Sequence, residues 1–143
     1  MIAFFDASAL VKRYIEEPGS DVVEGLLKAE FPAAARLTEV EVSSAIERRC
    51  REGSFGASER DRAIGALRRD IKSFLMVELT AAVVERSLGL LARYPLRTGD
   101  ALQLASCVEL RERLEYPVTF VAFDRRLNEA AGREGLALAS PGG

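Results

Sequence analysis

The chain has 143 residues, with 22 Asp and Glu against 20 Lys and Arg, 48% hydrophobic residues, two cysteines and no histidine. That length suits one domain spanning residues 1–143 around a single core, and the mixture of apolar and charged residues excludes a disordered chain. Without histidine there is no Ser-His-Asp or Cys-His catalysis and no zinc site of the usual His-containing kinds, so any chemistry must run on carboxylates, hydroxyls, arginine, lysine or a bound metal.

Ile2 to Phe5 is a short apolar run that meets Asp6, the pattern of a buried strand with an acid at its carboxyl end. Ala7 to Tyr14 reads as a helix, and Glu16-Glu17-Pro18-Gly19 as a turn before a second helix from Ser20 to Ala29. A second strand is expected at Ala33 to Leu37, after Pro32. Thr38-Glu39-Val40-Glu41 then has the spacing of a capping box, opening a helix toward Cys50. Gly53-Ser54-Phe55-Gly56 breaks that helix, and Ser58 to Lys72 forms its partner in a helical hairpin. Phe74 to Leu79 is the third strand candidate. Thr80 caps a helix through Leu91 that Tyr94-Pro95 stops, and Thr98-Gly99-Asp100 opens another to about Glu115. Val118 to Phe123 is the clearest strand, ending on Asp124, which starts a short helix to Ala131; Leu136 to Ala139 is a terminal strand. Strands alternating with helices point to an α/β sandwich with a parallel sheet.

Cys50 and Cys107 are too few for a disulfide framework, which makes a reducing cytoplasm the expected compartment. The apolar N-terminal run is broken by Asp6, Lys12 and Arg13, unlike a signal peptide, and no stretch is long enough to span a bilayer, so no membrane partner is expected. A net charge of −2 and a pI near 5.4 lack the basic signature of a passive nucleic-acid binder. They leave room for a nuclease, because metal-binding acids lower the pI without telling against a local basic face.

Open parallel sheets place ligands at the carboxyl ends of their strands. Asp6 and Asp124 lie there, in a chain with only six aspartates. Each acid also has a structural reading: Asp124 as an N-cap, Asp100 as a first-turn acid, Glu41 as the third residue of the capping box, and Asp6 as an N-cap beside Ser8. Taken together, three or four converging carboxylates without histidine would make a hard, oxygen-only site suited to Mg²⁺ or Mn²⁺. Their like charges would repel strongly without a cation, and the chemistry such a site suits is attack of metal-activated water on a phosphodiester.

Four segments in order, Phe5-Asp6-Ala7-Ser8-Ala9-Leu10-Val11-Lys12, Leu37-Thr38-Glu39-Val40-Glu41-Val42, Thr98-Gly99-Asp100-Ala101-Leu102-Gln103-Leu104-Ala105 and Phe123-Asp124-Arg125-Arg126-Leu127, resemble the PIN-domain family, in particular its VapC-type toxins. The resemblance covers essentially the whole chain. It implies a PIN-like α/β/α sandwich with a central parallel sheet and a protruding helical hairpin. It also implies Mg²⁺- or Mn²⁺-dependent endoribonuclease activity, an RNA substrate, a cognate antitoxin and a homodimer. Carried over, Asp6, Glu41, Asp100 and Asp124 match the family's four acids as catalytic and metal-binding residues. Asp6 and Asp100 would be the principal ligands, with Ser8 and Thr98 in support. Ala122 departs from the pattern, standing where many members have Thr or Ser two residues before the last acid.

Arg48, Arg49 and Arg51, with Arg60, Arg62, Arg68 and Arg69, make the hairpin the most basic part of the chain. Arg48 and Arg49 are candidates to hold RNA phosphates, or this is a solvated face paired with Glu47, Glu52, Glu59 and Asp70. Lys12 and Arg13 either contact substrate phosphate or face water. Two other function classes compete: a non-catalytic interaction module whose acids are caps, and an α/β phosphotransfer domain using Asp6. Against the second, Ser8 stands where a dehalogenase-like enzyme would have a second aspartate, and no Walker or dinucleotide glycine loop occurs.

Overall fold

The computed structural model describes residues 1–139. The elements follow in the order β1 (Ile2–Phe5), α1 (Ala7–Tyr14), α2 (Ser20–Ala29), β2 (Phe31–Ala35), α3 (Arg36–Arg51), α4 (Ala57–Ser73), β3 (Leu75–Val77), α5 (Ala81–Arg93), α6 (Thr98–Leu114), β4 (Val118–Val121), α7 (Arg125–Arg133) and β5 (Ala137–Ala139). The five strands form one parallel sheet in the order β3-β2-β1-β4-β5.

Parallel strands covered on both faces need apolar side chains on both, and β1 supplies them. Phe4 points into one cluster with Val83, Leu90, Leu104, Phe120 and Leu127, under α5, α6 and α7. Ala3 and Phe5 point the other way, into Leu10, Val23, Val42, Ile46 and Leu67 beneath α1 to α4. The Phe4 and Phe120 rings stack across β1 and β4, 6.0 Å between centroids. The result is the α/β/α sandwich that the sequence suggests. The hairpin of α3 and α4 contributes Ile46, Leu67 and Ile71 to the core, and its tip, around Gly53 to Gly56, is largely exposed.

Several caps stand where the sequence places them. Asp6 Oδ1 accepts from the Ala9 amide at 2.9 Å, Thr80 Oγ1 from Val83 at 3.2 Å, and Asp124 Oδ1 from Leu127 at 3.0 Å. The capping box at Thr38 is not formed. β2 spans Phe31–Ala35 rather than Ala33 to Leu37, and α3 begins at Arg36 with Ala35 as its cap. Pairing of Ala33, Ala34 and Ala35 with Leu75, Met76 and Val77 ends the strand at Ala35, and the chain turns straight into helix. Thr38 is therefore an interior, fully buried helical residue, and Glu41 lies a turn deeper in α3 than a capping role requires. The third and fourth strands are shorter than the apolar runs that encode them, Leu75–Val77 and Val118–Val121.

The chain moves outward from β1 to β2 and β3 on one side and returns to β4 on the other. The sheet's order therefore reverses between β1 and β4, where an open α/β sheet offers a crevice at its carboxyl edge. Phe5 pairs with Val121, and the Asp6 amide donates to the Val121 carbonyl at 3.0 Å. The two strand-end acids thereby flank the reversal at the sheet's carboxyl edge.

Candidate metal centre at the carboxyl edge

Asp6 is 2% exposed. Its Oδ1 accepts from Ser8 Oγ at 2.7 Å as well as from the Ala9 amide, and Ser8 Oγ in turn accepts from the Phe123 amide at 3.1 Å. Ser8 thus ties the end of β1 to the segment after β4. That segment is pinned again by Gly19, whose φ of 97° and missing side chain admit the Phe123 ring; a Cβ there would sit 2.6 Å from it. Lys12 lies over the same ring, 4.5 Å from its centroid.

Glu41 reaches the edge from the second turn of α3. Its Oε1 accepts from Gln103 Nε2 at 2.7 Å, and the same nitrogen donates to Thr38 Oγ1 at 2.7 Å. Its Oε2 lies against Gly99, where a Cβ would stand 3.0 Å away. Asp100 occupies the first turn of α6, and Asp124 caps α7 through Oδ1. Asp100 and Asp124 line one cavity with Phe123.

The four acids feel one another. Burial, opposed by the Ser8 and Ala9 hydrogen bonds and reinforced by the charges of Asp100 and Glu41, pushes the Asp6 carboxyl up to about 7. Glu41 is raised by burial and by Asp100, and Asp100 by burial and by Asp124, with Arg97 acting in the opposite direction. Among the described residues none of the four forms an ion pair. Asp6, Glu41 and Asp124 each spend one oxygen on a hydrogen bond within the chain and keep the other free, and Asp100 keeps both. An oxygen-only donor set of mutually repelling carboxylates fits a hard divalent cation. As the side chains stand, no three Asp, Glu or Cys groups among the described residues meet at metal-ligand spacing. Asp6 is turned onto Ser8 and Ala9, and Glu41 onto Gln103.

The remaining candidates are placed differently. Thr98 is exposed at the first position of α6 and makes no side-chain hydrogen bond among the described residues. Lys12 and Arg13 are both engaged by acids of their own chain, Lys12 largely buried and Arg13 about a third exposed. Lys12 Nζ donates to Glu17 at 2.9 Å, and Arg13 donates to Asp70 at 2.7 Å and Glu24 at 3.1 Å, because α1 is packed between α2 and the hairpin. Arg49 pairs with Glu17 at 3.5 Å, while Arg48 is exposed on α3. Fully buried Ala122 offers no hydroxyl, and its carbonyl accepts from Asn128 Nδ2 at 2.9 Å. Gln103 escaped the sequence reading; its only local signal is a carboxamide inside the apolar stretch Ala101 to Ala105.

A parallel sheet whose order reverses beside a cluster of acids defines an α/β protein with a carboxylate site at the switch point. A family model described as PIN domain matches residues 3–133, and the chain belongs to that family. Ribonuclease VapC45 of Mycobacterium tuberculosis is 34% identical over 145 residues, covering 96% of this chain and 94% of the relative. Among solved structures, the sarcin-ricin loop cleaving toxin VapC20 of M. tuberculosis superposes with a TM-score of 0.67 at 18% identity, covering 90% of this chain and 94% of that one. A toxin-antitoxin complex from Klebsiella pneumoniae gives 0.64 at 19%, covering 97% of each chain. These two likenesses are of fold.

Proposed function

We propose that this protein is an endoribonuclease that hydrolyses RNA phosphodiester bonds with the help of Mg²⁺ or Mn²⁺, and that it acts as the toxin of a toxin–antitoxin pair. The supporting observation is the free oxygen that each of Asp6, Glu41, Asp100 and Asp124 keeps at one sheet edge with no ion pair among the described residues. Membership of the PIN family and 34% identity to a protein named as a ribonuclease support the reaction class. Likeness to a toxin-antitoxin complex supports the partner. A homodimer belongs to the same reading.

In this reading Asp6 and Asp100 hold the cation, and Glu41 and Asp124 complete its surroundings. A bound divalent cation offsets charge on the phosphoryl oxygens and lowers the pKa of water. The chain's own contribution is orientation. Ser8 holds Asp6 Oδ1, Gln103 holds Glu41 Oε1, and Gly99 leaves room for Glu41 Oε2. Glu41, raised by burial and by Asp100, is suited to take a proton on its free oxygen.

Purified protein is expected to cleave RNA with Mg²⁺ or Mn²⁺ and to stop on addition of EDTA. Asp6→Asn and Asp100→Asn should abolish cleavage while the circular dichroism spectrum is unchanged. Cleavage that survives in both variants would overturn the reading.

A further inference from the structure

The cavity that Asp100 and Asp124 share, about 530 Å³ in volume, is also lined by Arg97, the N-cap residue of α6, and by Arg125 and Arg126, the first two residues of α7. All three arginines are exposed. Among the described residues none of them is in an ion pair, whereas Arg13, Arg36, Arg60 and Arg86 each hold two carboxylates. Arg48, Arg51, Arg68 and Arg69 on the hairpin are likewise exposed and outside any ion pair among the described residues, so the cavity shared with the acids is what sets Arg97, Arg125 and Arg126 apart. These three line a concave space beside two acids and form no ion pair with either. A carboxylate edge and a guanidinium wall in one cavity call for a ligand that presents an anion to the wall while its reacting group meets the acids.

We propose that Arg97, Arg125 and Arg126 seat the backbone phosphates adjoining the scissile bond of a single-stranded RNA. The inference rests on the ribonuclease reading and assigns part of its substrate site. The guanidinium forks donate paired N–H bonds to phosphate oxygens. Such bonds fix the strand's position without reading its bases. They are made alike before and during reaction, so removing them weakens binding and leaves the chemical step intact. On the hairpin, Arg49 and Arg60 are taken up by Glu17 and Glu47, while Arg48, Arg51, Arg62, Arg68 and Arg69 form no ion pair among the described residues and line no cavity with the four acids.

The test compares wild type, the triple variant Arg97→Gln/Arg125→Gln/Arg126→Gln, its all-lysine counterpart, and the control Arg113→Gln/Arg133→Gln at the far ends of the same two helices. Cleavage kinetics are measured on a single-stranded oligoribonucleotide in Mg²⁺. Binding is measured in an Asp6→Asn background as KCl is raised. The glutamine triple is expected to raise KM about tenfold with kcat within about twofold, the scale set by charge-assisted hydrogen bonds at a surface. Its plot of log affinity against log salt should flatten by about 0.7 for each phosphate no longer neutralised. The lysine version recovers the slope, and the control matches wild type in both measurements. A glutamine triple with wild-type KM and slope overturns the seat, as does weaker binding of polyglutamate with RNA binding unchanged, which would assign the arginines to an acidic protein segment. Wild type that cleaves no RNA would sink the ribonuclease reading itself, an outcome distinct from cleavage with an unchanged slope.

Discussion

On the outer side of α1, Asp70 accepts from Arg13 at 2.7 Å and from the Tyr14 hydroxyl at 2.6 Å, while Arg13 also reaches Glu24 on α2. At the carboxyl edge of the sheet, Asp6, Glu41, Asp100 and Asp124 form no ion pair among the described residues. The two regions use the same residue types and solve opposite problems. Around Asp70 the carboxylates are paired from within: the hydrogen bond to Asp70 holds the Arg13 guanidinium in its charged form, and burial, reinforced by the hydrogen bond to Asp70, holds the Tyr14 phenol in its protonated form. At the edge the acids are desolvated and repel one another, so each of Asp6, Glu41 and Asp100 is raised above its ordinary range. One region has its charges paired by folding, and the other keeps them unpaired among the described residues.

That difference is sharpest at Asp6, where activity and stability should move in opposite directions. A carboxyl raised from 3.8 to about 7 keeps its proton in the folded state after the unfolded chain has lost it. In metal-free protein, stability from this group is therefore greatest at low pH and falls as pH rises through roughly 4 to 7, by a total on the order of 4 kcal/mol. Asp6→Asn removes the penalty while its carbonyl still accepts from Ser8 and Ala9. The variant should melt above wild type at pH 8 in EDTA, lack the Mn²⁺-induced rise in Tm expected of wild type, and lose more than about a hundredfold in cleavage rate. If the metal-free variant melts below wild type at pH 8, the edge is not under electrostatic strain and the contrast with Asp70 fails.

Asp70→Asn should behave in reverse. It leaves Arg13 with Glu24 as its one remaining carboxylate in a half-buried cluster and is expected to destabilise by about 1–2 kcal/mol. Thermal melts would show the loss, and kcat on RNA should stay within about twofold of wild type. A large fall in kcat would mean that Arg13 belongs to the substrate path after all.

How much of this was legible in sequence follows the range of the interactions. The strands ending in acids, the caps at Asp6, Thr80 and Asp124, and the helical hairpin depend on neighbours a few residues away, and their patterns show. Thr38 with Glu41 misleads, because the capping signature is the same whether a helix starts at Thr38 or has already begun at the end of a strand. What decides is the pairing of Ala35 with Val77, a long-range register. Gln103 is silent for the same reason: its partners Thr38 and Glu41 lie 65 and 62 residues away. Arg13 reads as a free cation because the acid that takes it is 57 residues on. The four acids could be grouped through family resemblance, but their protonation, their free oxygens and the arginine-lined cavity beside them require the fold.

Gln103 offers a finer probe of the edge, since it touches an acid without being one. Gln103→Leu keeps the buried volume near α6 but releases Glu41 Oε1 and Thr38 Oγ1. Removing the partner of a metal-site carboxylate typically costs about 10- to 100-fold in metal affinity or activity. Mn²⁺ titration followed by thermal shift should report the weaker affinity, with Gln103→Glu failing to rescue because it adds a fifth acid to the cluster. Unchanged Mn²⁺ affinity in Gln103→Leu would place Glu41 outside the metal's surroundings.

The smallest effect is expected on the hairpin, where Arg60 joins Glu47 on α3 and Asp61 beside it at the surface. Exposed ion pairs of this kind contribute less than about 1 kcal/mol, because water and salt screen both partners. Arg60→Gln should therefore shift Tm very little and leave RNA affinity and its salt slope unchanged, since the guanidinium is already occupied by carboxylates of its own chain. The comparison with Arg97, Arg125 and Arg126 is direct: the same substitution removes one positive charge in each place, so overall charge is matched. If Arg60→Gln flattened the salt slope as much as a cavity arginine does, RNA would be held by the net field of the chain. A slope that answers to Arg97, Arg125 and Arg126 but not to Arg60 means instead that a cation's place in the fold and its pairing decide whether it remains available to a phosphate.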